Sequence, residues 1–422
     1  MSFGLNTKVK VGNYQLPSSA YVHIPFCRRR CFYCDFPVYV VGDRKDGNNS
    51  GAIGQYLEML AEEISITESF CQPLETVFFG GGTPSLLSAR QVEEIIKALD
   101  RQFGIAADAE ISIEMDPGTF DEEKIRGYGA AGINRVSLGV QAFEDELLAL
   151  CGRSHRVADI YEAMELLHKA EIVNIGIDLI SGLPHQTMER WEFSLEGAIA
   201  LSPSHISCYD LIVEPKTPFA RYYEPGERPL PAEETTAQMY RRGRELLVGA
   251  GYEHYEISNY ARAGYQCRHN RVYWENRPYY GFGMGAASYV GGQRLTRPRR
   301  TGEYYEWVRS LQAGLKETQT DLETDGDKVL ETLMLGLRLA DGLSSQFLER
   351  EFGPEMLEQI WACLQPYLEL GWVEVIGGNG ELLSHELIGE LPHFGGLRLS
   401  DPEGFLFSNT VLAALFRKLQ GF

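Results

Sequence analysis

The chain has 422 residues, 44% hydrophobic and 23% charged, which is enough apolar material for a sizeable core without disulfides. Thirty-nine basic against fifty-nine acidic residues leave a net charge of -20, which argues against nucleic acid or anionic lipid as a general partner. No apolar run reaches the roughly 18 residues of a membrane span, the first residues lack a secretory hydrophobic stretch, and eight cysteines are too sparse for a disulfide scaffold, so the expectation is a soluble cytoplasmic protein with one large domain and one small.

Apolar, β-branched segments alternate with helical patterns, which predicts βα units on a parallel sheet. Strands are expected at 20–25, 74–79, 109–115, 134–140, 174–180 and 205–210, with helices at 56–69, 89–103, 121–131, 158–169 and 188–201 between them. Six units running one way predict an α/β fold, an open or partial barrel. The tract at 42–52, GDRKDGNNSGA, is the flexible-looking piece. After the sixth strand, VEPKTPFARYYEPGERPLP carries five prolines and is expected to be an extended excursion. A helix follows at 233–249, and residues 252–292, rich in Tyr, Asn, Gly and Arg, suit loops that shape a site. Beyond Asp327, Leu330, Leu333, Met334 and Leu337 have helical spacing, and Pro354 begins a second helix toward Leu370. Two short strand-like runs around the turn GGNG and a last helix at 409–419 complete a small α+β module of winged-helix type.

Cys27, Cys31 and Cys34 form C-x3-C-x2-C just after the first strand. Three thiolates on one loop suit three irons of a [4Fe–4S] cube with the fourth iron open. Zinc is the competing reading, but structural zinc usually takes two C-x2-C pairs, and the sequence has no second one. Arg28, Arg29 and Arg30 inside the loop are placed to offset the charge of a thiolate-bound cluster, or else form a solvated basic turn. The string YVHIPFCRRRCFYCDF resembles the cluster loop of radical S-adenosylmethionine proteins, in the branch that contains oxygen-independent coproporphyrinogen oxidase. The resemblance implies a partial (β/α)6 barrel whose Cys27, Cys31 and Cys34 hold the cluster, and whose open iron binds S-adenosylmethionine for cleavage to a 5′-deoxyadenosyl radical.

The second strand runs into Gly80-Gly81-Gly82-Thr83-Pro84, where bare backbone can approach a ligand closely. Glu114, Gln141 and Asp178 lie at or near the carboxyl ends of the third, fourth and fifth strands, which face the common mouth of a barrel, and Arg153 comes shortly after the fourth. By resemblance, Gly81, Gly82 and Thr83 hold the methionine amino group, and Glu114, Gln141, Arg153 and Asp178 hold the adenosyl, ribose and carboxylate parts, with Tyr21 flanking the cluster loop. Each could instead be a structural polar residue.

The oxidases carry a further cysteine two residues after the third, where this chain has Phe36, and a longer segment ahead of the cluster, where it has twenty-six residues. Both differences resemble the HemW type of the family, a haem chaperone. That type carries H-N-x-x-Y-W, present as His269-Asn270-Arg271-Val272-Tyr273-Trp274. It implies His269 as an axial haem ligand, aromatic faces from Tyr273 and Trp274, and propionate pairing by Arg294, Arg297, Arg299 and Arg300. The alternative is a core or surface histidine beside a solvated loop, and Cys267 is an alternative thiolate ligand. His23 is expected to position the cluster loop, and Cys71, Cys151, Cys208 and Cys363 to be small core residues.

The domain expectation is a radical S-adenosylmethionine barrel over 15–250, a Tyr/Arg-rich connecting region with the haem motif over 251–322, and a HemN/HemW-type domain over 323–422. The resemblance implies a chaperone that passes haem to haem proteins such as respiratory-chain components, while the acidic balance argues against nucleic acid and the lack of an apolar run against an integral membrane protein, though it could associate there transiently. Its rivals are oxidative decarboxylation of coproporphyrinogen III and another radical reaction on a small molecule.

Overall fold

The computed structural model describes residues 15–43, 46–314, 325–383 and 395–419. Six parallel strands form its centre, hydrogen-bonded in sequence order: β1 (Ser19–Ile24), β2 (Leu74–Gly81), β3 (Ile105–Met115), β4 (Arg135–Gln141), β5 (Asn174–Ser181) and β6 (His205–Asp210). Their Val, Ile and Phe content demands burial, and Val22, Val77, Phe79, Ile113, Val136, Ile177 and Ile206 all enter the core. Helices Gly51–Ile66, Ala89–Phe103, Glu122–Ala131, Val157–Lys169 and Met188–Ala200 carry the chain back between strands. Side-chain oxygens fix several starts: Ser50, Asp121 and Thr187 each accept a backbone N–H from the first turn, and Ser88 with Gln91 closes a reciprocal capping box. The partial (β/α)6 barrel expected from the pattern is the fold.

The tract at 42–52 is more ordered than its composition suggests. Asp46 accepts the Asn48 N–H at 2.8 Å, Gly47 N–H reaches Leu86 O at 2.9 Å, and Ser50 then opens the first helix, five residues earlier than its apolar periodicity indicates. Positions 44 and 45 lie outside the described residues. The proline-rich excursion contains one short helix, Phe219–Tyr222, whose Phe219 is buried.

Residues 252–292 correct the loop expectation. Tyr280–Phe282 adds a parallel strand outside β1, while Asn259–Ala261 and Glu253–Glu256 add two antiparallel strands outside β6, so this stretch supplies both edges of a nine-stranded sheet. Segments of three or four residues are too short for alternation to register, yet Tyr260, Tyr280 and Phe282 are core residues. Between the two edges, helix Arg268–Trp274 crosses the end of the barrel opposite the mouth: Glu110, midway along β3, accepts the N–H groups of Arg268 and His269, each at 3.1 Å.

The C-terminal module has its own core, with Leu333, Leu337, Leu348, Ile360, Leu364, Val375, Leu397 and Leu415 among its members. Helices Asp325–Gly336, Pro354–Glu369 and Ser408–Leu419 match the periodicity. The sheet is larger than expected, because Leu343–Ser344 and Gly395–Leu399 join the hairpin strands Val373–Gly377 and Leu382–Leu383, and an additional helix spans Ser345–Phe352. Main-chain bonds from Ile257 N to Arg338 O and from Ala340 N to Tyr255 O, both 3.0 Å, tie the module to the barrel.

Candidate metal and cofactor site

The carboxyl ends of β1 to β5 surround a cavity of about 400 Å³ lined by all three loop cysteines, Gly81, Gly82, Thr83, Glu114, Gln141, Arg153 and Asp178. Strand register explains the convergence: Glu114 lies opposite Ser137, Gly139 opposite Asp178, and Asp178 opposite Ser207, so these polar positions share the inner face.

The cysteine loop is held at its start by main-chain pairing, with Tyr39 N–H to Pro25 O at 2.7 Å and Val41 N–H to Cys27 O at 2.9 Å. Gly82 N–H donates to Ile24 O, and Thr83 N–H to Phe26 O. A Cβ at Gly82 would stand 2.8 Å from Phe26 O and 2.9 Å from the Cys27 sulfur, so only glycine lets the two loops lie this close. His23, fully enclosed, receives the Tyr21 hydroxyl at Nδ1 (3.0 Å) and donates from Nε2 to Pro37 O (3.1 Å), and burial holds its pKa down at about 4. That is the loop-positioning role expected for it. Tyr21 itself packs against Gly80 and is not among the residues that line the cavity.

Burial pushes the Cys27 thiol up to about 12 and raises Cys34 as well. Among the described residues no three His, Cys, Asp or Glu side chains form a ready-made metal-binding group. The donor set nevertheless fits a thiophilic metal: three cysteines on one wall, beside a glycine that keeps the backbone bare, become thiolates when a cation displaces their protons.

The loop arginines are engaged individually. Arg28 donates to Gly118 O, Arg29 pairs with Asp43, and Arg30 donates to Cys34 O and Phe36 O. Arg153 is the cation beside the sulfur, with Nη1 3.5 Å from Cys31 Sγ and Nη2 bonded to Asp116 and to Gly139 O. Asp116 was not singled out from sequence. It also accepts the Thr83 hydroxyl at 2.9 Å, joining the glycine turn to the cluster loop through Arg153. Its position two residues after Glu114, just past the end of the third strand, was the available signal.

Glu114 accepts the Gly81 N–H at 3.0 Å. Burial and then the neighbouring Asp178 raise its pKa to about 8. Asp178 accepts the Ser137 hydroxyl at 2.9 and 3.1 Å, and burial raises its pKa too. Gln141 sits at a register shift with φ of 64°, and its buried Oε1 has no hydrogen-bond partner. An amide acceptor in a strained backbone, left unpaired beside a cavity, is suited to a ligand hydroxyl or amine.

The haem assignments fare differently. His269 is fully buried at the barrel floor, with Nδ1 bonded to Thr76 Oγ1 at 2.7 Å, Nε2 to the Tyr273 hydroxyl at 2.9 Å, and its ring stacked on Phe78. Both nitrogens are occupied, so the structure does not present this imidazole to an iron. Cys267 is buried with its sulfur 3.6 Å from Glu110, and its thiol is pushed up to about 12. The arginines do not form one patch: Arg297 is buried against Glu63, Arg294 pairs with Glu331, Arg299 donates to Asp35 O, and Arg300 pairs with Glu303. Cys151 and Cys363 are buried as expected and Cys208 is half-buried, whereas Cys71 is exposed at a turn with φ of 59°.

Comparison with known proteins gives a consistent picture. Residues 21–196 match the model of the radical SAM superfamily, and residues 324–382 match that of the HemN C-terminal domain. Heme chaperone HemW of Synechocystis sp. is 48% identical over 417 residues, covering 98% of this chain and 99% of that protein. Heme chaperone HemW of Bacillus subtilis is 34% identical over 88% of this chain and 98% of its own length. Among solved structures, coproporphyrinogen III oxidase (HemN) from Escherichia coli superposes with a TM-score of 0.77 over 98% of this chain and 93% of that one, at 24% identity, a likeness of fold.

Proposed function

The chain belongs to the HemW family of radical S-adenosylmethionine proteins, and on that basis we propose that it is a haem chaperone, binding haem and passing it to haem proteins such as respiratory-chain components. What supports the proposal is Phe36: it lines the mouth at the position where the resembling oxidases carry a cysteine, and in this the cluster loop resembles that of the chaperone type. Family membership implies a [4Fe–4S] cluster and S-adenosylmethionine, and Cys27, Cys31 and Cys34 are the residues proposed to hold the cluster.

When bound, the cluster would supply an electron and a coordination site for S-adenosylmethionine. Gly81, Gly82 and Thr83 offer backbone for the methionine end. Gln141 offers its unpaired amide oxygen, and Asp178 and Glu114 offer carboxyl oxygens suited to ribose hydroxyls. Arg153 keeps positive charge beside Cys31. Among the described residues no helix is long and apolar enough to cross a membrane, and a cytoplasmic site of action is part of the proposal.

The test is a pair of assays on anaerobically reconstituted protein. Haemin should give a saturable Soret change and then move to an apo-haem protein. Coproporphyrinogen III with S-adenosylmethionine and a reductant should yield no protoporphyrinogen. Sustained turnover in the second assay would favour the oxidase instead.

A further inference from the structure

Below the cavity the barrel interior stays polar. Arg135, at the start of β4, is buried, and its Nε has no hydrogen-bond partner. Directly opposite on β3, Ser112 is buried with its hydroxyl unpartnered. On β6, buried His205 meets the Tyr255 hydroxyl through Nε2 at 2.9 Å, while its Nδ1 has no partner. These groups converge on Gly176 of β5: a Cβ there would lie 3.4 Å from His205 Nδ1 and 3.5 Å from both Arg135 Nη2 and Ser137 Oγ. Ser137 in turn donates to both oxygens of Asp178, two residues further along β5 and on the same face. A guanidinium, a hydroxyl and an imidazole nitrogen gathered round one bare backbone position supply the two to four polar partners that an internal water needs.

We propose that Arg135 is a positioning residue for the cavity above it: through a water seated on Gly176 and the Ser137 hydroxyl, its guanidinium holds Asp178 as the carboxylate that the cavity presents to a ribose. The inference rests on reading that cavity as the S-adenosylmethionine site. Asp178 needs such support, because burial raises its pKa and its neighbours include the carboxyl of Glu114 and, on β6, the Cys208 thiol and the Tyr209 hydroxyl. Ser137 and Ser207 donate to it, and two cations act on it, Arg135 and Arg153. Arg153 is committed to Asp116 and Gly139 O. Arg135 also faces Glu110 and the Cys267 thiol, but Glu110 is already taken up by the N–H groups of Arg268 and His269. The charge of Arg135 is thus the one left for Asp178.

Two readouts on the full-length protein test this. Infrared difference spectra of cofactor-free protein, each form minus its Asp178→Asn counterpart, follow the Asp178 carboxyl against pH, and calorimetry on the reconstituted protein follows S-adenosylmethionine binding against pH. In Arg135→Gln, protonation of Asp178 and the loss of affinity on the acid side should both move about one pH unit or more toward neutral, and Arg135→Lys should recover most of that difference. Gly176→Ala adds a methyl that meets nothing nearer than 3.4 Å, so it should fold and should move both in the same direction by a smaller amount. A role confined to packing would instead lower affinity at every pH alike. An Asp178 titration left unmoved in Gly176→Ala, or in folded Arg135→Gln, would overturn the assignment of Arg135. A wild-type chain that bound no S-adenosylmethionine, with the Asp178 titration shifting in the variants as expected, would overturn only the cofactor reading beneath it.

Discussion

Gly82 shows how tightly the cluster loop is specified, because a single methyl group there meets backbone on one side and the Cys27 sulfur on the other. Gly82→Ala should cut iron and sulfide per chain after reconstitution to well under half of wild type, with secondary structure retained by circular dichroism. Glu114 makes a pH-dependent contribution whose sign follows from its raised pKa of about 8. The folded protein holds this proton from its ordinary carboxyl range up to about 8 while the unfolded chain has released it, so the group favours folding at low pH and that favour is lost as pH rises through this window. Cofactor-free Glu114→Gln should therefore show a smaller fall in Tm between pH 5 and about 8.5 than wild type, measured by differential scanning fluorimetry. The cysteine triad was readable in the sequence because its members share one short loop. The Arg153–Asp116 pair was not, since it joins residues 37 apart and neither side chain announces its partner.

Helix Arg268–Trp274 is the element whose meaning changed most between sequence and structure. A histidine followed four residues later by tyrosine fits a ligand site, but the same i, i+4 spacing puts the Tyr273 hydroxyl 2.9 Å from His269 Nε2, closing a buried hydrogen bond. Tyr273→Phe would leave that nitrogen unsatisfied in a dry environment and should cost about 1–3 kcal/mol in urea unfolding, with cluster content unchanged. The central βα units were readable because each strand and helix spans several periods of its pattern. The edge strands and the helix Asp145–Leu150 escaped because they are shorter than one reliable window, and their formation depends on the sheet they join.

At the level of the whole chain, two cores meet across a polar seam. Asp401 of the C-terminal module accepts the buried His254 Nδ1 at 2.7 Å and Arg244 Nε at 3.0 Å, and these two bonds pull its pKa below the ordinary carboxylate range despite burial. The Arg241–Glu403 pair lacks a buried partner like His254 and is more exposed, so it should contribute little. Asp401→Asn should thus destabilise by about 1–3 kcal/mol and speed tryptic separation of the modules, while Glu403→Gln should leave both nearly unchanged. The existence of two modules was readable from the change of texture near Asp327. The seam was not, because its bonds cross 147 residues or more from His254 and Arg244 to Asp401.

The floor helix turns the barrel into a blind well. A molecule that enters at the mouth meets the hydrogen-bonded His269–Tyr273 pair at the bottom, so the floor offers it no way through. Anything seated over the cysteine loop would trap what lies beneath it, slowing departure of the lower guest without altering the affinity of the pocket for it.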